Sequence, residues 1–252
     1  AGHGVQIVAT GLRPEKDLVP EDVMDTDLVG ITATSALFGN AVHCLESIRM
    51  WRPDLPVILG GAHATICTEE TLRAGFDCAV IGEAERTIEE LVANLDRGQL
   101  RQTRGIAFLD DAGAVHKTAE QPLVDDLDTL PFPARDLYDY DAFRAAGGWE
   151  FGMLSSRGCP FRCTFCQPTL NMIFGRMRKR GPQNVAEEMA LLQEQYNPPI
   201  LYFKDDTLSA NGMAWFDEFQ KALTERGVKQ RWKCNTRVDK VGPRILDAMA
   251  NA

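Results

Sequence analysis

Ser156-Arg157-Gly158-Cys159-Pro160-Phe161-Arg162-Cys163-Thr164-Phe165-Cys166 sets three cysteines in the spacing C-x₃-C-x₂-C directly after the apolar run Phe151–Ser155. Three thiolates on one short loop suit a metal cluster, because iron–sulfur centres are held by cysteine sulfurs. A fully ligated [4Fe–4S] cluster takes four protein ligands. Only three are local here, which leaves room for one iron open to a substrate, and an open coordination site is the mark of a catalytic rather than a structural centre. The alternatives are a zinc site completed by Cys234 or a histidine, a fully ligated cluster that only carries electrons, and coincidence. Zinc motifs usually pair two C-x₂₋₄-C elements, and no second pair follows.

C-terminal to this loop, strand and helix signals alternate. Gln183–Tyr196 reads as a helix opened by Pro182, whose fixed φ suits a first helical turn. Ile200–Lys204 reads as a strand, Gly212–Arg226 as a helix, Arg231–Asn235 as a strand and Pro243–Ala250 as a helix. With Phe151–Ser155 this makes βα units too few to close a barrel. The basic run Arg176-Met177-Arg178-Lys179-Arg180 reads as a solvated loop, with a phosphate-bearing substrate as the other reading.

N-terminal to the loop, Pro122–Pro133 is acidic and proline-rich, and Pro131-Phe132-Pro133 must be extended because a residue before proline is pushed out of the α region. The expected division is therefore 1–121 as one α/β domain, 122–148 as a linker and 149–252 as the beginning of a second domain. In the first, Val5–Ala9, Leu28–Thr32, Val57–Leu59 and Ala79–Ile81 read as buried parallel strands. Ala41–Met50, Glu69–Ala74 and Thr87–Asp96 read as helices between or after them. Such alternation predicts a doubly wound parallel sheet. Gly105–Leu109 and Ala114–Lys117 read as a hairpin across Asp110–Gly113. The loop-like Ala1–Gly4 and the early stop of the second domain lead us to expect a piece of a longer protein, its first domain lacking its first strand.

Charge supports two domains: residues 1–125 carry 10 basic and 20 acidic side chains, residues 126–252 carry 17 and 16. The acidic first half argues against nucleic acid as a partner. No apolar run approaches the ~18 residues of a membrane span, and no signal pattern opens the chain, so a soluble, cytoplasmic protein is expected. The seven cysteines do not form a disulfide framework; Cys44, Cys67 and Cys78 read as small core hydrophobes.

C-x₃-C-x-aromatic-C after a strand resembles the signature of the radical S-adenosylmethionine superfamily, with Phe165 as the aromatic residue. The resemblance implies a (β/α)₆ TIM-like barrel, here only its first part, and a [4Fe–4S] cluster on Cys159, Cys163 and Cys166. It further implies S-adenosylmethionine chelated at the open iron and cleaved to a 5′-deoxyadenosyl radical, with the backbone beside Phe165 against the adenine. Asp205 or Asp206, at the end of the second strand, would accept from the cosubstrate's amino group, and adjacent carboxylates on a strand point opposite ways. Asn235 or Arg237, at the end of the third strand, would reach its carboxylate or ribose. The bland readings are a loop start and a surface charge.

The first half resembles the cobalamin-binding domain, of Rossmann or flavodoxin-like fold, that precedes many such radical domains. The likeness rests on Gly30-Ile31-Thr32-Ala33-Thr34-Ser35-Ala36-Leu37, Gly60-Gly61-Ala62-His63-Ala64-Thr65 and Ile81-Gly82-Glu83-Ala84-Glu85-Arg86-Thr87, each after a predicted strand, and on the connector Leu130–Asp136. It implies cobalamin held near Thr32, Thr34, Ser35, Gly60, Gly61, His63, Gly82 and Glu83. No D-x-H-x-x-G loop is present, so His63 is placed near the nucleotide tail or as a structural histidine rather than on cobalt. Glu83 and Glu85 are pocket groups or a helix N-terminal pair. Together the two resemblances imply a cobalamin-dependent radical methyltransferase acting on a small-molecule or peptide substrate, with an external electron donor of flavodoxin or ferredoxin type. Oxidative cyclisation on a tetrapyrrole or ring contraction is the enzymatic alternative; an electron-transfer or scaffold protein, or a flavodoxin-like domain with another ligand, is the alternative of a different class.

Overall fold

The computed structural model describes residues 2–12, 17–95, 97–148, 150–166 and 175–252. They divide into two compact units, Val8–Leu123 on one side and the remaining described residues, 2–7 included, on the other. Among the described residues no helix is long and apolar enough to cross a membrane.

The first unit is built on five strands: β1 (Val29–Thr32), β2 (Val57–Gly60), β3 (Cys78–Val80), β4 (Ile106–Leu109) and β5 (Val115–Lys117), adjacent in that order. Its helices are α1 (Phe38–Trp51), α2 (Gly61–Ile66), α3 (Thr68–Arg73) and α4 (Glu85–Leu95). The strands read as apolar runs because both faces are covered. Val57, Leu59, Ala79 and Ala107 point to Ala41, Leu45 and Ile48 of α1, Ala64 of α2 and Leu72 of α3. Ile58, Cys78, Val80, Ile106 and Phe108 point the other way, to Leu91 of α4. Burial pushes the Cys78 thiol up to about 12.

Two expectations change here. The sheet is parallel only through β1, β2 and β3; the hairpin joins it antiparallel through Ala79↔Ala107 and Val80↔Ile106. Val5–Ala9 is not a strand, and Val5 and Ile7 are exposed. A β-branched run becomes a strand only where a neighbour takes up its N–H and C=O groups, and none of the described strands pairs with it.

The second unit contains α5 (Tyr140–Ala145), which lies within the stretch read as linker. It is followed by β6 (Glu150–Met153), β7 (Ser156–Arg157), β8 (Arg178–Lys179), α6 (Pro182–Gln195), β9 (Ile200–Phe203), α7 (Met213–Glu225), β10 (Trp232–Cys234) and α8 (Pro243–Asn251). β6, β9 and β10 form a parallel sheet in the order β10-β9-β6. Phe151, Met153, Leu201 and Phe203 lie on one face against Val185, Met189 and Leu192 of α6 and Phe216, Phe219 and Leu223 of α7. The single strand expected over Phe151–Ser155 ends at Met153, because the Ser155 N–H turns away from the sheet to a carboxylate.

Candidate functional site

In parallel βα folds the loops after the strands gather at one edge of the sheet. In the second unit these are the cysteine loop after β6, Lys204–Thr207 after β9 and Asn235–Arg237 after β10. The cysteine loop is clamped at its base, where β7 and β8 pair antiparallel through Ser156↔Lys179 and Arg157↔Arg178. Gly158 follows with φ +79°, and a Cβ there would lie 3.0 Å from the Arg176 carbonyl oxygen, so only glycine lets the two segments close. The Cys166 N–H donates to the Cys163 carbonyl at 3.1 Å, folding the loop's far end into a turn.

Asp205 ties this loop to β9. Its side chain is fully buried and accepts the Ser155 N–H at 3.0 Å on Oδ2, and the hydroxyls of Ser155 at 2.7 Å and Ser156 at 2.5 Å on Oδ1. Burial raises its affinity for a proton, while these bonds act in the opposite sense. Asp206 points the other way and is exposed, as strand alternation requires. Asp205 is thus turned into the protein and Asp206 is the carboxylate offered to solvent.

Cys159 and Cys163 are half-buried and Cys166 is exposed. The Cys159 sulfur lies 3.7 Å from the buried Thr207 hydroxyl. Arg237 donates from Nη1 to the Cys163 sulfur at 2.7 Å. That guanidinium is fixed by two bonds of 2.9 Å to Asp239 and lies 4.4 Å from the centre of the Phe161 ring. Asn235 accepts the Tyr202 hydroxyl at 2.9 Å. Phe165 is 91% exposed. Thr207, Phe161 and the Ser155–Ser156 pair escaped the sequence reading; the one available signal was two hydroxyls placed just before the motif.

The basic run is a staple rather than a solvated loop or phosphate patch. Arg178 is buried and donates to the Val124 carbonyl at 2.6 Å, Lys179 donates to the Asn211 carbonyl at 2.9 Å, and Arg180 pairs with the buried Glu188. Cys234 is half-buried, and burial pushes its thiol up to about 11.

In the first unit the three expected loops meet at the ends of β1, β2 and β3. The His63 N–H donates to the Ala33 carbonyl at 3.1 Å, and the Gly82 N–H donates to the Thr65 hydroxyl at 3.0 Å. Gly61 has φ +87°, and a Cβ on it would lie 2.7 Å from Thr32 Oγ1, so the Gly60-Gly61 turn serves loop-to-loop packing. Thr32, Thr34 and Ser35 are exposed on this edge, and Gly60, Gly61, Gly82 and Glu83 are half-buried. His63 is only 3% exposed, stacks 3.8 Å from Phe38 and places Nδ1 3.0 Å from Ser35 Oγ.

An open α/β sheet with loops gathered at its strand ends, joined to a parallel βα unit that opens on a C-x₃-C-x₂-C loop, defines a two-domain cofactor protein. The B12 binding domain family matches residues 1–92. An uncharacterized methyltransferase of Pyrococcus horikoshii is 32% identical over 98% of this chain and 54% of its own length. An anaerobic magnesium-protoporphyrin IX monomethyl ester cyclase of Rubrivivax gelatinosus is 28% identical over 88% of this chain and 41% of its own. The solved structure of the cobalamin-dependent S-adenosylmethionine radical enzyme OxsB, with aqua-cobalamin and S-adenosylmethionine bound, superposes with a TM-score of 0.74. That match covers 89% of this chain and 32% of OxsB at 20% identity. Residues 1–92 thus match the B12 binding domain family, and over nearly its whole length the chain is similar to proteins named as a methyltransferase and a cyclase and has the fold of part of a cobalamin-dependent S-adenosylmethionine radical enzyme. It spans about half the length of the curated relatives it matches.

Proposed function

We propose that this chain is the cobalamin- and cluster-binding part of a radical S-adenosylmethionine methyltransferase acting on an unactivated carbon. The observation that carries the reading is the clamped cysteine loop set against the ends of β9 and β10. The residues present fit a [4Fe–4S] cluster. Three thiols stand on one clamped loop, and a cubane spreads its thiolates over separate irons. Arg237 offers the Cys163 sulfur a charged N–H, and hydrogen bonds to sulfur are among the features that set a cluster's potential. When bound, the cluster and S-adenosylmethionine supply a hydrogen-abstracting radical, and cobalamin supplies a transferable methyl group.

The exposure and partners of each side chain support the following roles. The backbone beside Phe165, whose ring is exposed, lies against the adenine. Asp206, not the buried Asp205, accepts from the amino group. Asn235 lies at the ribose or carboxylate, and Arg237, held by Asp239 and bonded to Cys163, supports the cluster side of the site. In the first unit the exposed hydroxyls of Thr32, Thr34 and Ser35 serve the cobalamin side arms. The backbone at Gly60, Gly61 and Gly82 permits close approach, with Glu83 at the rim. His63, stacked and buried, supports the loop from beneath and is not the axial ligand. The substrate is a small molecule or peptide, and a flavodoxin- or ferredoxin-type protein delivers the electron. The relative named a cyclase supports oxidative cyclisation as a second reading of the same site.

The test is electron paramagnetic resonance of the reduced, anaerobically reconstituted full-length protein with and without S-adenosylmethionine. We expect the signal to change on addition. Cys163→Ala should abolish cluster binding and cosubstrate cleavage while cobalamin binding persists. An unchanged signal at full iron content would point instead to a closed, electron-carrying cluster.

A further inference from the structure

We propose that His63, Cys67 and Glu70 form a second metal site, independent of the cysteine loop, that takes a zinc ion. Among the described residues these are the histidine, cysteine and acidic side chains whose ligand atoms converge, all lying within 4.8 Å of one another. The convergence comes from helical spacing. α2 and α3 meet at Cys67, and the i→i+4 register runs through the junction: the Cys67 N–H donates to the His63 carbonyl at 2.7 Å and the Thr71 N–H to the Cys67 carbonyl at 3.0 Å. Positions i, i+4 and i+7 therefore share one face.

A second observation points to a ligand. His63 is 97% buried by the measure of its 3% exposure, yet its Nε2 has no hydrogen-bond partner. A buried nitrogen left without a partner is costly, and this one faces Glu70 Oε2 at 3.7 Å. The other ring nitrogen is engaged: Nδ1 lies 3.0 Å from Ser35 Oγ, and Phe38 stacks on the ring at 3.8 Å. With Nδ1–H donating to Ser35, the tautomer leaves the Nε2 lone pair directed at Cys67 and Glu70. A metal-bound histidine has this arrangement, its second nitrogen anchored by a polar partner.

The donor set selects the metal. Nitrogen, sulfur and carboxylate oxygen with room for a fourth ligand suit tetrahedral zinc, whereas magnesium and calcium take oxygen. Zinc–ligand bonds of about 2.0–2.3 Å put tetrahedral ligand atoms roughly 3.3–3.6 Å apart. The 3.7 Å between His63 Nε2 and Glu70 Oε2 is already close to that spacing. Cys67 is half-buried and Glu70 exposed, so closure needs only side-chain rotation and the ion has a path in. Bound zinc would brace the Gly60–His63 turn from behind, on the side of the ring opposite Ser35.

The experiment uses cluster-loaded, cobalamin-free protein, in which iron occupies Cys159, Cys163 and Cys166. Zinc alone is titrated against a chromogenic chelator. The expected result is one zinc per chain. Cys67→Ala should weaken it by more than ~100-fold, beyond the range for losing an orienting partner, and Ser35→Ala by about 10–100-fold. Substituted cobalt(II) should show a thiolate charge-transfer band that Cys67→Ala lacks. Cys67 and Glu70 are not core residues, so folding can be verified by circular dichroism and by unchanged iron content. If wild type and the Cys67→Ala/Glu70→Ala double variant bind zinc alike at matched iron content, the proposal is overturned and His63 is simply an ion-pair partner of Glu70. Cluster content and cobalamin binding are read separately, so this failure would leave the proposed activity standing.

Discussion

Replacing Asp205 with alanine removes the carboxylate on which the entry to the cysteine loop is hung. The Ser155 N–H and the hydroxyls of Ser155 and Ser156 would be left facing a void where water does not reach. Each unsatisfied buried donor costs about 1–3 kcal/mol. The two hydroxyls can rotate and recover part of this, so we expect Asp205→Ala to destabilise the second unit by about 3–5 kcal/mol. Asp205→Asn keeps the shape but turns an amide N–H toward one of these donors, and should cost about 1–2 kcal/mol. Urea unfolding followed by tryptophan fluorescence reads the effect, since Trp215 and Trp232 belong to this unit. The pH dependence has a definite sign. Burial raises the folded-state affinity of Asp205 for its proton, so its contribution is greatest below the ordinary carboxylate range and is lost as pH rises through the raised folded value. Asp205→Asn should remove that component. A change below ~1 kcal/mol for Asp205→Ala, with iron content intact and S-adenosylmethionine affinity lost, would refute the argument and make Asp205 the direct ligand.

Three further outcomes are expected. The Cys78 thiol is held up to about 12 against an unfolded value of 9.0, so the native unit keeps a proton that the unfolded chain loses. Stability of the first unit should fall between those values by up to ~1.4 kcal/mol per pH unit, and Cys78→Ala, though less stable at neutral pH, should show a shallower fall in alkaline urea titrations. Glu188, 2% exposed, joins Arg135 at 2.7 Å and also Arg180. Glu188→Gln should destabilise the second unit by about 3–5 kcal/mol, because it strands two largely buried guanidinium groups, and thermal unfolding would show it. Phe165→Ala should leave the unfolding midpoint within ~0.5 kcal/mol of wild type, as expected for an exposed side chain, while S-adenosylmethionine binding measured by calorimetry weakens.

Much of the architecture was legible because it rests on neighbours in sequence. Apolar runs at strand length, 3.6-residue spacing between them, Pro182 at a helix start and Asp110–Gly113 at a hairpin each carry their own signal. So does the C-x₃-C-x₂-C loop, whose chemistry is in its spacing. The misreadings share a cause. Val5–Ala9 has strand composition but no pairing partner among the described strands, and the basic run has loop composition but is used to fasten distant backbone. Alternation showed that Asp205 and Asp206 must diverge, but not which of them would be buried.

The sequence alone determined most of the main strands and helices, the three-cysteine loop and its place after a strand, and the three loops of the first unit, but not the helices α2 and α5 or the β7–β8 pair. Only the tertiary structure decided which polar groups these bring together. Asp205 meets Ser155 across 50 residues, Arg178 meets the Val124 carbonyl across 54, and Arg237 reaches the Cys163 sulfur across 74. Periodicity and propensity are short-range properties of the backbone. A hydrogen bond between groups that far apart exists only once parallel strands have brought their ends to one edge and water has been excluded between them.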